Sequence, residues 1–123
     1  MRIKLMNLAV FVPFIWIFNA QAHHSHGNYQ MTEYTYLEGV VQELYWINPH
    51  AWIYLEVVDS DQESAVWALE TAGASRLGRI GLRPDTVEVG DIISVRCHQL
   101  RDGSNGCLLG FLTPETGEEK EWD

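Results

Sequence analysis

The chain has 123 residues, a formal net charge of −9 at pH 7 with histidine neutral, and two cysteines. Its length fits one modest domain. Its acidity disfavours nucleic acid as a partner, because an acidic surface repels phosphate backbones. The same acidity favours cations or basic partners, although it also serves solubility.

The first 22 residues are typical of a secretory signal. Arg2 and Lys4 give a basic start, residues 5–18 are mostly apolar, and Ala20 and Ala22 fit an A-x-A cleavage site. The apolar run is shorter than the roughly 20 residues of a spanning helix. We therefore predict cleavage after Ala22, a periplasmic or secreted protein, and no stable membrane span after processing. The alternative is an uncleaved membrane anchor.

The mature chain is predicted to have three parts: a histidine-rich segment at residues 23–33, a β domain at residues 34–113, and an acidic, frayed tail at residues 114–123. In the domain, residues 34–47 are rich in Tyr, Val, Leu and Trp and predict a long strand. Within this strand Gly39 is predicted to mark a bulge or bend.

Residues 50–58 predict a second strand with alternating faces. Its core-facing positions are Ala51, Ile53, Leu55 and Val57. The other elements predicted in chain order are a strand at 65–71, a short helix at 75–80 with Leu77 and Ile80 on one face, and strands at 91–100 and 107–112 joined by a hairpin turn.

The order of these elements predicts an all-β fold. Three strands, a short helix and two strands match a small five-stranded barrel of the oligonucleotide/oligosaccharide-binding (OB) type, with the helix between strands three and four. A small β-sandwich is the alternative. Cys97 and Cys107 flank the last hairpin. An oxidising compartment predicts that they form a disulfide, and two buried free thiols are the alternative.

The histidines at the predicted mature N-terminus suggest a metal site. Cleavage after Ala22 gives His23 a free α-amino group beside its imidazole, and the two can chelate one ion. With another imidazole from His24, His26 or His50 they would form a histidine brace. Nitrogen ligands favour copper(II), with zinc as second choice. The alternative is a flexible polar tail whose histidines cluster without a role.

The segment Trp46-Ile47-Asn48-Pro49-His50-Ala51-Trp52 joins the first two strands. We predict that Asn48 and Pro49 shape the turn, and that His50 either binds a ligand or caps the loop. The candidate residues of a ligand-binding groove are Trp46, Asn48, Trp52, Tyr54 and Glu70. A solvated strand position is the simpler interpretation of Glu70.

Five features together resemble the bacterial family labelled domain of unknown function 6152. They are Ala22-His23-His24-Ser25, Trp46-x-Asn48-Pro49-His50, Trp67-x-x-Glu70, Gly90-Asp91 and Asp102-Gly103-Ser104. The resemblance covers nearly the whole mature chain and implies a small exported, periplasmic protein. It implies no established activity. His26 stands where the family is expected to carry an aromatic residue.

Three functions are compatible with these observations. The first is a periplasmic protein that binds a metal ion through His23, His24 and His50. The second is a non-metal ligand-binding or envelope-assembly module that uses the aromatic residues. The third, copper-dependent oxidation, has the least support, because the sequence offers no substrate-binding face for it and we assign no catalytic residues.

Overall fold

The computed structural model describes residues 26–123. The predicted signal peptide, His23 and His24 therefore lie outside the described residues. The elements in chain order are a short 3-10 helix at His26–Asn28, β1 Thr35–Tyr45, β2 Trp52–Val58, β3 Ser64–Glu70, α1 Ala74–Arg79, β4 Ile92–Gln99, β5 Gly106–Pro114 and β6 Lys120–Glu121. Within residues 26–123, no helix has the length and apolar character needed to cross a bilayer.

The first five strands close into a barrel. Antiparallel pairs join β3 to β2, β2 to β1, β1 to β4 and β4 to β5. A parallel pairing of β3 with β5 closes the ring. With α1 between β3 and β4, this is the predicted five-stranded OB-like barrel. The fold prediction is confirmed, and the protein is not the alternative sandwich.

Burial alternates along the strands as the sequence predicts. On β2 the side chains of Ile53 and Leu55 are fully buried, whereas Trp52 and Tyr54 are only partly buried. On β4 the predicted inward face is also buried: Ile93, Val95 and Cys97 are 1%, 3% and 0% exposed. The period of two places the aliphatic side chains inside the barrel and the aromatic side chains of β2 outside it.

Strand β1 changes partners along its length, because it belongs to both halves of the barrel. It pairs with β4 up to Val40 and with β2 from Val40 onwards. A Cβ on Gly39 would lie 2.2 Å from the carbonyl oxygen of Glu56, so glycine permits the close approach there. The register shift itself falls between Val41 and Glu43. The predicted irregularity is thus present, but a few residues beyond Gly39.

The two cysteines form a disulfide beside the strand pairing that closes the barrel. The Cα atoms of Cys97 and Cys107 are 5.6 Å apart, and both side chains are fully buried. Cys107 also lies opposite Leu69 in the parallel β3–β5 pairing. The predicted disulfide is confirmed, and the free-thiol alternative is wrong.

The C-terminal residues are packed, so the prediction of a frayed tail is wrong. Lys120 and Glu121 pair with β5, and Trp122 is only 1% exposed. The ring of Trp122 packs edge-on against that of Trp46, with centroids 6.3 Å apart. One large apolar side chain thus anchors an otherwise acidic segment. The predicted face of α1 is also partly wrong: Leu77 is buried, but Ile80 follows the helix and is 47% exposed.

Candidate functional site at the mouth of the barrel

The loop between β1 and β2 is held against the start of α1. The side-chain oxygen of Asn48 accepts a hydrogen bond from the Ser75 amide at 3.0 Å, and its amide group donates to the Ser75 hydroxyl at 2.9 Å. The peptide bond between Asn48 and Pro49 is cis. Asn48 thus shapes the loop, as the sequence predicts, and both of its polar side-chain atoms are used in doing so.

His50 follows this loop and is oriented by two oxygen atoms. Its Nδ1 lies 3.0 Å from Oε1 of Glu70 and 3.1 Å from the carbonyl oxygen of Thr71. Both oxygens are acceptors, so Nδ1 carries the proton of the neutral ring and the lone pair resides on Nε2. The interpretation of Glu70 as a solvated strand position is therefore wrong: its side chain is 20% exposed and holds His50.

Tyr29 completes a three-residue network that the sequence analysis missed. Its phenol donates a hydrogen bond to the second carboxylate oxygen, Oε2, of Glu70. Burial, this hydrogen bond and the carboxylate charge all raise the pKa of Tyr29. The phenol therefore stays protonated and acts as a donor. The only sequence signal was an aromatic residue within the polar segment 23–33, and such a residue rarely indicates a site on its own.

Backbone hydrogen bonds attach the segment around Tyr29 to the barrel. The Gln30 amide donates to the carbonyl of Gln99 at 2.8 Å, and the guanidinium of Arg101 donates to the carbonyl of Tyr29 at 3.0 Å. Tyr29 also forms an isolated bridge with Leu100. The segment around Tyr29 and Gln30 is therefore an ordered part of the domain.

His98 belongs to this attachment. Its Nδ1 lies 2.7 Å from the carbonyl oxygen of Glu33 and 3.1 Å from that of Gln30. Its ring stacks on Tyr34 with centroids 4.4 Å apart. Its neighbour Cys97 is in the disulfide, so the pair does not form a Cys/His ligand set.

His26 and His50 line the same open groove, which has a volume of about 550 Å³. Its other walls come from the β1–β2 loop, α1 and the C-terminal residues. The charged side chains along it are Arg76, Arg79, Glu121 and Asp123. Among residues 26–123, no three His, Cys, Asp or Glu side chains form a group that could hold a metal ion. His23 and His24 lie outside this range.

The three predicted groove aromatics do not lie together. Trp46 packs against the core and contacts Trp122. Tyr54 lies on the outside of the barrel, where its ring meets that of Tyr45 edge-on at 5.9 Å. Trp52 lies two residues before Tyr54 on β2, so its side chain is on the same outward face of the strand. The side chain of Trp46 therefore faces the core, whereas Trp52 and Tyr54 share the outer face of β2.

A family of unknown function (DUF6152) matches residues 15–109. This range includes the β1–β2 loop, His50, Glu70 and both cysteines. No curated protein and no solved structure matches the chain.

Proposed function

The chain belongs to the DUF6152 family, and we propose that it is an exported, periplasmic protein that binds copper at the mouth of its barrel. His50 provides one imidazole ligand through Nε2. The amino group and imidazole of His23, exposed by cleavage after Ala22, provide two more nitrogen ligands. His24 and His26 are the candidates for a further ligand.

The orientation of His50 carries this proposal. Histidines that bind metals nearly always donate their other ring N–H to a carboxylate or a backbone carbonyl, which fixes the tautomer and strengthens the ligand nitrogen. Nδ1 of His50 has one oxygen of each kind, from Glu70 and from Thr71, within 3.1 Å.

The path of the chain also supports the proposal. His26 lines the same groove as His50, and only three peptide units separate it from His23. In an extended chain three peptide units span at most about 11 Å. The attachment of Tyr29 to the barrel holds the segment around it in place. The proposed N-terminus at His23 is therefore only three residues along the chain from a residue that lines the groove.

A copper titration of the processed protein tests the proposal. The matched control is the same chain with one extra residue before His23, which keeps every imidazole but moves the α-amino group. We expect copper(II) to bind the processed protein with a 1:1 stoichiometry and the extended control much more weakly. Equal affinities would rule out the N-terminal chelate, and zinc measured in parallel would show the preference between metals.

A second function rests on the outer face formed by Tyr45, Trp52 and Tyr54. OB barrels bind oligosaccharides on the face of their second and third strands and on the adjoining loops. The edge-on pair of Tyr45 and Tyr54 lies beside that face. Tryptophan fluorescence distinguishes the two functions. Quenching by glycans but not by copper would favour the saccharide-binding module.

A further inference from the structure

Tyr29 joins two parts of the molecule that are far apart in sequence. Through its backbone it belongs to the N-terminal segment, which is attached to the barrel at Gln99, Leu100 and Arg101. Through its phenol it contacts Glu70 at the end of β3. Glu70 in turn contacts His50 on the far side of the carboxylate. One carboxylate therefore lies between the segment and the imidazole.

We infer that Tyr29 is a positioning residue: its phenol holds the carboxylate of Glu70 in the orientation that fixes the imidazole of His50. Because the backbone of Tyr29 belongs to the N-terminal segment, attachment of this segment to the barrel is coupled to the orientation of His50. The biological role of this coupling rests on the proposed function, because the N-terminal segment carries the proposed copper ligands. The coupling itself is a property of the metal-free protein.

The geometry supports this role over simple core packing. Oε2 of Glu70 faces Tyr29 and Oε1 faces His50, so both carboxylate oxygens are fixed and rotation of the carboxylate breaks both contacts. Tyr29 is only 8% exposed, so little water can replace its phenol. A residue needed only for packing would not require a hydroxyl aimed at this carboxylate.

The substitution Tyr29→Phe tests the inference, because it keeps the ring and removes only the hydroxyl. Tyr36→Phe is the matched control, since Tyr36 is 72% exposed. In metal-free protein at mildly alkaline pH, nitrogen-15 NMR of the His50 ring gives the tautomer and the exchange rate of the Nδ1 proton. We expect Tyr29→Phe to speed this exchange roughly five- to tenfold, the factor that one hydrogen bond supplies. Unchanged exchange and tautomer would overturn the inference.

The reverse experiment keeps the test decisive if Tyr29→Phe fails to fold. Coupling is reciprocal, so Glu70→Ala should loosen the N-terminal segment. The amide of Gln30, which donates to Gln99, should then exchange faster than in the wild-type protein. Wild-type protection of Gln30 in a folded Glu70→Ala variant would contradict the coupling.

Copper affinity separates this inference from the proposed function. If the site binds copper, Tyr29→Phe should weaken binding about tenfold, the lower end of the effect of losing an outer partner of a metal ligand. Unchanged affinity would contradict the positioning role. If the wild-type protein binds no copper, the proposed function fails, and the His50 exchange measurement alone decides the inference.

Discussion

Gly73 lies so close to Asn48 that a Cβ at position 73 would be 2.7 Å from Oδ1 of Asn48, and 2.4 Å from the carbonyl oxygen of Pro49. Gly73 directly precedes α1, and Asn48 accepts a hydrogen bond from the Ser75 amide in that helix. This contact fixes the loop that carries His50 against the helix.

The substitution Gly73→Ala should therefore strain the loop. We expect a loss of about 1–3 kcal/mol in the free energy of unfolding, as for other substitutions that overfill a packed site. Gly78→Ala is the matched control, because a Cβ there meets nothing within 4 Å. In α1 that change should instead stabilise the protein by about 0.5–1 kcal/mol. Urea unfolding of both variants checks the contrast, and equal effects would contradict it.

Removing the imidazole of His50 should abolish tight copper binding while leaving the barrel intact. We expect His50→Ala to weaken binding by more than about 100-fold, beyond the loss caused by an outer-sphere change. Tyr36→Ala is the control, because Tyr36 is 72% exposed and is not among the residues that line the groove. Isothermal titration of both folded variants makes the comparison. Equal losses in the two would contradict a direct role for His50.

Removing the disulfide should destabilise the whole barrel. The double substitution of Cys97 and Cys107 by serine should cost about 2–4 kcal/mol, the usual range for a native crosslink. The pair bridges β4 and β5 beside the β3–β5 pairing, so its loss affects the closure of the ring. Thermal unfolding of the oxidised protein, the reduced protein and the variant measures the effect. A melting temperature unchanged by reduction would contradict it.

Trp122 should contribute much of the stability of the C-terminal segment. Trp122→Ala should cost about 3–5 kcal/mol, as expected for emptying a buried aromatic position. The control is Tyr36→Ala, since Tyr36 is largely exposed and its loss should change the unfolding free energy by less than about 0.5 kcal/mol. Urea unfolding gives both values. If the Trp122→Ala variant were as stable as the control, the packing of Trp122 would not stabilise the C-terminal segment.

The stability of the domain should fall as the pH rises above the ordinary tyrosine pKa of 10.0. Burial and the contact with Glu70 raise the pKa of Tyr29 in the folded state. Below pH 10 both states keep the proton; above it the unfolded chain releases the proton that the folded protein retains, so stability is lost with rising pH. Denaturant unfolding over this range should give a steeper decline for the wild-type protein than for Tyr29→Phe. Parallel declines would show that Tyr29 does not contribute.

The sequence was sufficient for the barrel because local patterns determine it. Alternating aliphatic residues on β2 identified the inward face of Ile53 and Leu55, and the spacing of turns gave the order of strands and helix. These features follow from strand periodicity and from turns, whose physical causes act between residues close in the chain. The disulfide between Cys97 and Cys107 was predicted instead from the oxidising compartment expected for an exported protein, because the positions of the two cysteines left their pairing open.

The candidate site was only partly predictable, because its contacts join distant parts of the chain. The alternation of side chains along β3 placed Glu70 on the outer side of the strand. It gave no indication that the carboxylate would contact His50 through one oxygen and Tyr29 through the other. Trp46 was predicted to share a groove with Trp52 and Tyr54, whereas its ring packs against the core and meets Trp122. Long-range packing of this kind has no local sequence signal.

In the proposed site, cleavage after Ala22 creates a copper ligand that binds together with His50. Native mass spectrometry of the protein isolated from the periplasm is the decisive measurement, because one spectrum gives both the first residue and the bound metal. We expect a chain that begins at His23 and carries one copper ion. A chain that begins elsewhere, or one that begins at His23 and carries no copper, would contradict it.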